Sequence, residues 1–361
     1  MQSKLSVDAL QPRTAAIMLA IFLIGIEAVF APPSSGGADV WLSYLLSFVL
    51  FIPVLFVWGQ LMKKFPGQDL FSILETVFGK GFGRIIAFLY FLFFLFLASS
   101  VRFYYASFTQ MASLTHTPLV VTIFLFFLLS AHLAKSGAQT IGKWSVFLAV
   151  IVLGAFVCLS LLAIPILRTE YLFPLVETPG GQVLEEAFGR SVLQLSGGVV
   201  FLALLGRLDP KASPQRVLFL GTGIAVLFGA ATVLRDTAIL GQGGFFATAF
   251  PSFKAVGVIT LGTTGMGVEV IELLLSILTG LTSVSLFLLG ASRALTPMFG
   301  LKEEAPLVLS IAFFTVPLAF VLFSNLTALA HFAPLFLRFA PVFSMGIPLV
   351  LWIFSGIGKR K

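Results

Sequence analysis

The stretch Thr14-Ala-Ala-Ile-Met-Leu-Ala-Ile-Phe-Leu-Ile-Gly-Ile-Glu-Ala-Val-Phe30 is an apolar run of membrane-spanning length with one acid, Glu27, in its second half. It breaks at Ala31-Pro-Pro-Ser-Ser-Gly-Gly37. A carboxyl group within a bilayer costs about 2.5 to 3.5 kcal/mol on insertion scales, so such groups line internal cavities or find partners. Gly25 stands two residues earlier, where a helix can unwind. An acid at the weak point of an interrupted helix marks a substrate site in preference to a plain anchor.

The rest of the chain reads the same way. Of its 361 residues, 58% are hydrophobic and only 10% charged, with a mean hydropathy of +1.07. A soluble protein carries about a quarter charged residues. The chain is therefore expected to be an all-α polytopic membrane protein forming one integral membrane domain over 1–361. Its 41 phenylalanines suit lipid contact and helix packing. The net charge of +7 comes from basic residues in short loops, so it signals topology and not nucleic-acid binding. The one cysteine, Cys158, excludes an internal disulfide and reads as a small packing residue. His116, His132 and His331 lie far apart near predicted membrane edges, so no metal or cofactor is expected. The first run is too long for the apolar core of a signal peptide and lacks a cleavage pattern, so it is expected to remain in the membrane. Walker A, GxSxG and HExxH sequences are absent and no pair of intramembrane aspartates occurs, which argues against an enzyme.

About 20 apolar residues cross a bilayer, and ten such runs occur: 13–31, 39–62, 83–111, 117–134, 143–166, 188–206, 215–238, 268–292, 305–324 and 334–356. Lys4, Arg13, Lys63, Lys64, Lys80, Arg84, Lys135, Lys143, Arg207, Lys211, Arg216, Arg293, Lys302, Lys359, Arg360 and Lys361 collect on one side. The other side holds Arg168, Arg190, Lys254 and Arg235. By the positive-inside rule both termini are cytoplasmic. The loop 167–187, with Glu170, Glu177, Glu185 and Glu186, reads as a solvated outer face. The broken apolar stretch 241–267 reads as an interfacial helix or lid.

Ten spans divide into a first repeat, 12–166, and a second, 186–356, of opposite sense, as in many secondary transporters. The first span of each half is interrupted: span one by Gly25, Glu27 and Pro32-Pro33, span six by Gln194-Leu-Ser-Gly-Gly198. Each third element follows a short amphipathic connector, Phe65–Phe71 in one half and Phe245–Phe253 in the other. Unwound backbone at such breaks can hold the carboxylate and ammonium of an amino acid. The candidate ligand residues are Gly25, Ile26 and Glu27 with Ser196, Gly197 and Gly198. Spans three and eight add Ser99, Ser100 and Arg102, and Thr279, Thr282 and Ser283.

Each candidate has an alternative. Gly197-Gly198 can serve close helix packing alone, and Thr282 and Ser283 can bond their own helix. Glu27 can pair with a ligand ammonium or with Arg102, and Arg102 can instead snorkel to the outer interface beside Tyr104 and Tyr105. Arg235-Asp236 with Glu269 and Glu272 form a second charged group at the outer ends of spans seven and eight, either a gate or a structural cluster. Arg338 reads as snorkelling, with no site role.

Three elements carry a family resemblance: Ala38-Asp-Val-Trp-Leu-Ser43, Met62-Lys-Lys-Phe-Pro-Gly-Gln-Asp-Leu70 and Phe78-Gly-Lys-Gly-Phe-Gly83. With them the whole chain resembles the endospore germination permeases, the B subunits of Ger-type nutrient germinant receptors in the amino acid–polyamine–organocation transporter superfamily. The resemblance implies a LeuT-type 5+5 inverted repeat with broken helices 1 and 6, in the inner membrane of a bacterial spore. It implies a complex with an A subunit and a C-subunit lipoprotein, and a nutrient ligand, commonly an amino acid, held between spans one, three, six and eight. The alternative is a stand-alone proton- or sodium-coupled amino acid transporter.

Overall fold

The computed structural model describes residues 9–27, 29, 39–174, 176–209, 211–259, 267–301 and 303–357. Over these it is helical, with one isolated parallel bridge between Leu10 and Leu208. The Pro32-Pro33 break, Lys4, Lys302, the basic tail Lys359-Arg360-Lys361 and residues 260–266 of the predicted lid lie outside the described residues. The helices are α1 (Pro12–Glu27), α2 (Val40–Lys64), α3 (Leu70–Ala112), α4 (Leu119–Lys135), α5 (Gly137–Ala163), α6 (Gly180–Leu193), α7 (Val200–Leu204) and α8 (Pro214–Phe246). They continue with α9 (Pro251–Gly257), α10 (Glu269–Leu295), α11 (Ala305–Leu322), α12 (Leu326–His331), α13 (Ala333–Pro341) and α14 (Ile347–Ile357). Each of the ten predicted runs contains helix. Eight helical stretches are long and apolar enough to cross a membrane, and α4 is a shorter apolar one.

Local chemistry sets the ends and bends. Asp69 caps α3 by accepting the Ser72 N–H at 2.8 Å, and Ser213 caps α8 just before Pro214, where a missing N–H costs nothing. Gly79 and Gly241, with φ of 78° and 68°, turn α3 and α8 sharply. The first kink separates the amphipathic connector from the long apolar part of α3. Span six is interrupted where Gln194–Gly198 predicts: α6 ends at Leu193, Leu195–Val199 form a 3-10 turn, and α7 resumes at Val200. This span is buried almost throughout, whereas 137–166 faces largely outward, so span six is central and span five peripheral.

The principal packing is α3 along α10, with α1 wedged against α8, α10 and α5. Two glycines permit it. A Cβ on Gly280 would stand 2.3 Å from the Tyr105 ring, and one on Gly25 would stand 2.3 Å from Ser283 Oγ and 2.4 Å from the Thr279 carbonyl oxygen. Small residues let membrane helices approach closely. Gly25 therefore lies inside a continuous helix and serves a crossing; the helix ends two residues later, at Glu27. Two further expectations change. Glu186 belongs to α6, not a solvated loop, and is 7% exposed in an ion pair with Arg190. Cys158 faces outward from α5 instead of packing inside.

The start of α2 is tied across the bundle. The buried Asp39 carboxylate accepts the N–H groups of Val176 and Thr178 at 2.8 and 2.9 Å. Val176 has a φ of 62°, unfavourable for a β-branched residue, so the tether holds a strained turn. Burial works against the charged carboxylate, but the amide donors of Thr178 and Val176 outweigh it and keep the Asp39 pKa below its ordinary value. A depressed carboxylate stabilises the fold fully above its unfolded pKa of about 3.9, and that contribution disappears as pH falls through the lower folded value. Asp39→Ala is expected to lower stability by about 1 to 3 kcal/mol at neutral pH, read as a fall in Tm in detergent. The gap between variant and wild type should narrow in acid.

Candidate functional site

A cavity of about 580 Å³ opens beyond the end of α1. Its wall takes Ile24 and Glu27 from α1, Tyr44 from α2, Tyr104, Tyr105 and Phe108 from α3, and Arg190 from α6. Thr232 and Arg235 of α8 and Glu272, Ser276 and Thr279 of α10 face it from the other side. Phe156 and Phe228 add apolar wall, and the segment Phe245–Phe253 lies across it. Phe250 stacks on Phe108 at 4.2 Å and meets Tyr104 edge-on at 5.7 Å, while the Ser252 hydroxyl donates to Asp236. The stretch predicted as a lid thus covers the cavity, although α8 itself continues to Phe246 before the chain turns into α9.

The last carbonyls of α1 cannot be satisfied within their own helix, and the surrounding helices supply donors. Tyr105 Oη of α3 donates to Gly25 O at 2.9 Å. Gln194 Nε2, at the break of span six, donates to Glu27 O at 3.0 Å. Ser283 Oγ of α10 donates to Phe22 O at 2.9 Å one turn earlier. The end of span one is thereby fixed by spans three, six and eight.

The Glu27 side chain accepts a hydrogen bond from the Tyr44 hydroxyl. Arg190 lies over the Tyr44 ring at 4.0 Å, a cation–π arrangement, and donates to Ser43 Oγ at 2.9 Å and to Glu186 Oε1 at 2.8 Å. Space for the Glu27–Tyr44 pair comes from Gly229, where a Cβ would stand 2.5 Å from Tyr44 and 2.9 Å from Glu27 Oε1. Both guanidiniums on the wall are already paired, Arg190 with Glu186 and Arg235 with Asp236. Glu27 and Glu272 form no salt bridge among the described residues. An aromatic cavity with two such acids suits a cationic group.

The opposite end of the bundle is closed. Arg293 Nη1 donates to Ala203 O at 2.7 Å, and its Nη2 lies 3.1 Å from Glu304 Oε1, which Arg207 also approaches at 3.1 Å. Burial disfavours the charged Glu304, yet Arg293 foremost among its neighbours holds its pKa below the ordinary value. Leu10 pairs with this closure through Leu10 N–H to Arg207 O at 2.8 Å and Asp209 N–H to Leu10 O at 3.1 Å.

Of the sequence candidates, Glu27 and Thr279 line the cavity. Gly25 and Ser283 form the helix crossing beneath it. Ile26 packs on Gly197, and Gly198 meets Trp58. Ser196 donates to Ser344 Oγ at 3.0 Å, so the break in span six is walled off from the cavity. Thr282 faces α5, accepting from Trp144 Nε1 at 3.0 Å. Ser99 bonds its own Leu95 O at 2.8 Å, and Ser100 bonds Phe96 O at 2.9 Å. Arg102 is fully buried and turns to α4 and α11, donating to Ser130 Oγ at 3.1 Å, Ala312 O at 3.0 Å and Thr315 Oγ1. It neither snorkels nor meets Glu27.

Sequence reasoning missed Tyr44, Tyr104 and Gln194 as site residues, and it counted Arg190 only among the basic residues of the outer side. It also separated Arg235 and Glu272 from Glu27, whereas all three face one cavity. The available signal was the position of these polar groups inside or beside apolar runs.

The sequence matches the family described as "Spore germination protein" over residues 9–353. It is 21% identical over 352 residues to spore germination protein KB of Bacillus subtilis (strain 168), covering 96% of this chain and 94% of that one. It is 23% identical over 352 residues to spore germination protein B2 of the same organism, covering 95% and 94%. Among solved structures it is similar to MHP1, a nucleobase-cation-symport-1 family transporter in a closed conformation with bromovinylhydantoin bound. The TM-score is 0.66 at 14% identity, over 96% of this chain and 78% of that one. A mutant manganese transporter of Eremococcus coleocola gives a TM-score of 0.60 at 12% identity, over 96% and 85%. The fold is therefore the LeuT-type transporter fold, and the chain is an integral membrane protein.

Tyr105→Phe removes the donor to Gly25 O and leaves a buried carbonyl unpaired. The expected outcome is a loss of about 1 to 3 kcal/mol, seen as a lower Tm with the fold retained. An unchanged Tm would show that this bond does not hold α1 in place.

Proposed function

This chain belongs to the spore germination protein family, and we propose that it is the membrane-embedded, nutrient-recognising B-type subunit of a spore germinant receptor. Its ligand, an amino acid, sits in the cavity between spans one, three, six and eight, with its ammonium at Glu27 and Thr279 beside it. The observation that carries this reading is the Glu27 carboxylate, facing an aromatic cavity with no basic partner of its own. Gly25, Ile26, Ser196, Gly197, Gly198, Thr282 and Ser283 position that wall instead of contacting ligand. Arg102 and Ser99 act further out, holding span three against its neighbours.

The two five-helix repeats, 12–166 and 186–356, account for the pairing of α3 with α10 and for interruptions at the end of α1 and within span six. The cavity lies towards the side predicted to be external, and the Arg293–Glu304–Arg207 closure towards the cytoplasmic, spore-core side. Ligand arriving from outside the inner spore membrane would enter beneath Phe250 and be read by the helices that hold α1. Movement of those helices would pass the signal to the receptor's A subunit and C-subunit lipoprotein. A second reading, a stand-alone proton- or sodium-coupled amino acid transporter, draws on the fold shared with a cation-symport family member.

Purified protein in liposomes, given the twenty labelled amino acids, separates the two readings. Saturable binding without concentrative uptake supports the receptor subunit; uptake driven by a proton or sodium gradient supports the transporter. Glu27→Gln is expected to weaken binding of the preferred amino acid about tenfold, the worth of one charge-assisted hydrogen bond, with protein abundance near normal. Lost abundance alone would make the acid structural, and unchanged binding would remove it from the site.

A further inference from the structure

We propose that the amino acid taken by this cavity is a dibasic one, with its α-ammonium at Glu27 and the cationic group of its side chain at Glu272 of α10. This rests on the amino acid reading above and names the class within it. Charges around the cavity do not balance. Four acids, Glu27, Glu186, Asp236 and Glu272, stand on or directly behind its wall against two guanidiniums, Arg190 and Arg235. Glu186 and Asp236 each take one guanidinium, at 2.8 and 2.7 Å. The Glu27 side chain holds the Tyr44 hydroxyl, and the Glu272 carboxylate has neither a hydrogen bond nor a salt bridge among the described residues. Arg235 stands near enough to act on Glu272, but its pairing with Asp236 leaves that pair neutral. Two uncompensated carboxylates within membrane spans are costly, and a ligand with two positive charges compensates both.

The two acids are spaced for one ligand. α1 and α10 run antiparallel where they cross: Gly25 abuts the Thr279 carbonyl, and Phe22, earlier on α1, accepts from Ser283, later on α10. Continued to the end of α1, the same register sets Glu27 level with Ser276. Glu272 lies one turn further along α10, about 6 Å of rise, on the face that turns Ser276 and Thr279 to the cavity. The side chain of ornithine, lysine or arginine spans that rise from an α-ammonium at Glu27. Tyr104, Phe108, Phe156 and Phe228 line the same space and suit both an aliphatic stem and its cationic end.

The same arrangement selects against other side chains. A neutral one leaves Glu272 uncompensated, and an acidic one adds a further like charge, an exclusion built from repulsion as much as attraction. Glu272 also stands in the first turn of α10, where an acid favours the helix dipole. That role does not distinguish one ligand from another, so dependence on the ligand separates it from binding.

The test uses the full chain in liposomes with labelled lysine and with norleucine, which lacks only the side-chain ammonium. The wild-type chain is expected to bind lysine about tenfold or more tighter than norleucine. Glu272→Gln is expected to abolish that preference, and Glu27→Gln to weaken both ligands. If Glu272→Gln does not fold, diamino acids of increasing length on the wild-type chain decide the matter, with affinity rising from diaminopropionate through ornithine to lysine. Norleucine bound as tightly as lysine, a preference for lysine that survives Glu272→Gln, or no rise along the series each overturns the proposal and leaves the amino acid reading intact. A wild-type chain that binds none of the twenty amino acids overturns that reading itself.

Discussion

Everything around the cavity depends on how a helix is allowed to stop inside an apolar medium. The last turn of α1 exposes carbonyl oxygens that neither lipid nor its own backbone can satisfy. Tyr105, Gln194 and Ser283 donate to Gly25 O, Glu27 O and Phe22 O respectively. Gly25 O and Glu27 O belong to that last turn and Phe22 O lies one turn earlier, so bonds from spans three, six and eight bring four spans to one point. Glu27 is the residue at that point, and the Tyr44 hydroxyl holds its side chain. Any movement of α1 must break or exchange these bonds, which makes the helix end a natural place for ligand occupancy to be felt.

Charge is distributed to match. The fully buried Arg102 donates through both Nη atoms to hydroxyl and carbonyl oxygens of α4 and α11, its Nε has no partner among the described residues, and it forms no salt bridge among them. Arg190 and Arg235 are each neutralised by a neighbour on the same helix. Glu27 and Glu272 remain uncompensated by any salt bridge among the described residues. A cavity with two unpaired acids on its wall and an aromatic lining suits an ammonium group. The Arg293–Glu304–Arg207 cluster ties together the opposite end of the bundle.

Much of this was legible in the chain itself. Hydropathy located helices in all ten runs, because apolar length is what a bilayer demands. The interruption of span six followed from Gln194-Leu-Ser-Gly-Gly198, and the cavity acid from the cost of carrying Glu27. What the sequence hid was rotation. Whether Thr282 faces α5 or the cavity, or Arg102 faces α11 or Glu27, depends on helix packing angles that a linear pattern does not encode. Gly25 suggested unwinding but serves a crossing with Ser283, since the same residue suits both. Glu185 and Glu186 were assigned to a loop because α6 begins earlier than its hydropathy suggests, at Gly180. The ligand residues themselves rest on the proposed cavity and not on any residue pattern.

The account stands on ligand occupying the space in front of α10. The most direct measurement is thiol protection in liposomes, with Ser276→Cys placed in a Cys158→Ser background. Ser276 lines the cavity, and Ser196→Cys at the walled-off break serves as the comparison. The account predicts that the bound amino acid slows modification of the cysteine at 276 by a small membrane-permeant reagent, while the cysteine at 196 stays unreactive throughout. Saturable amino acid binding with an unchanged rate at 276, or with protection appearing at 196, would contradict it.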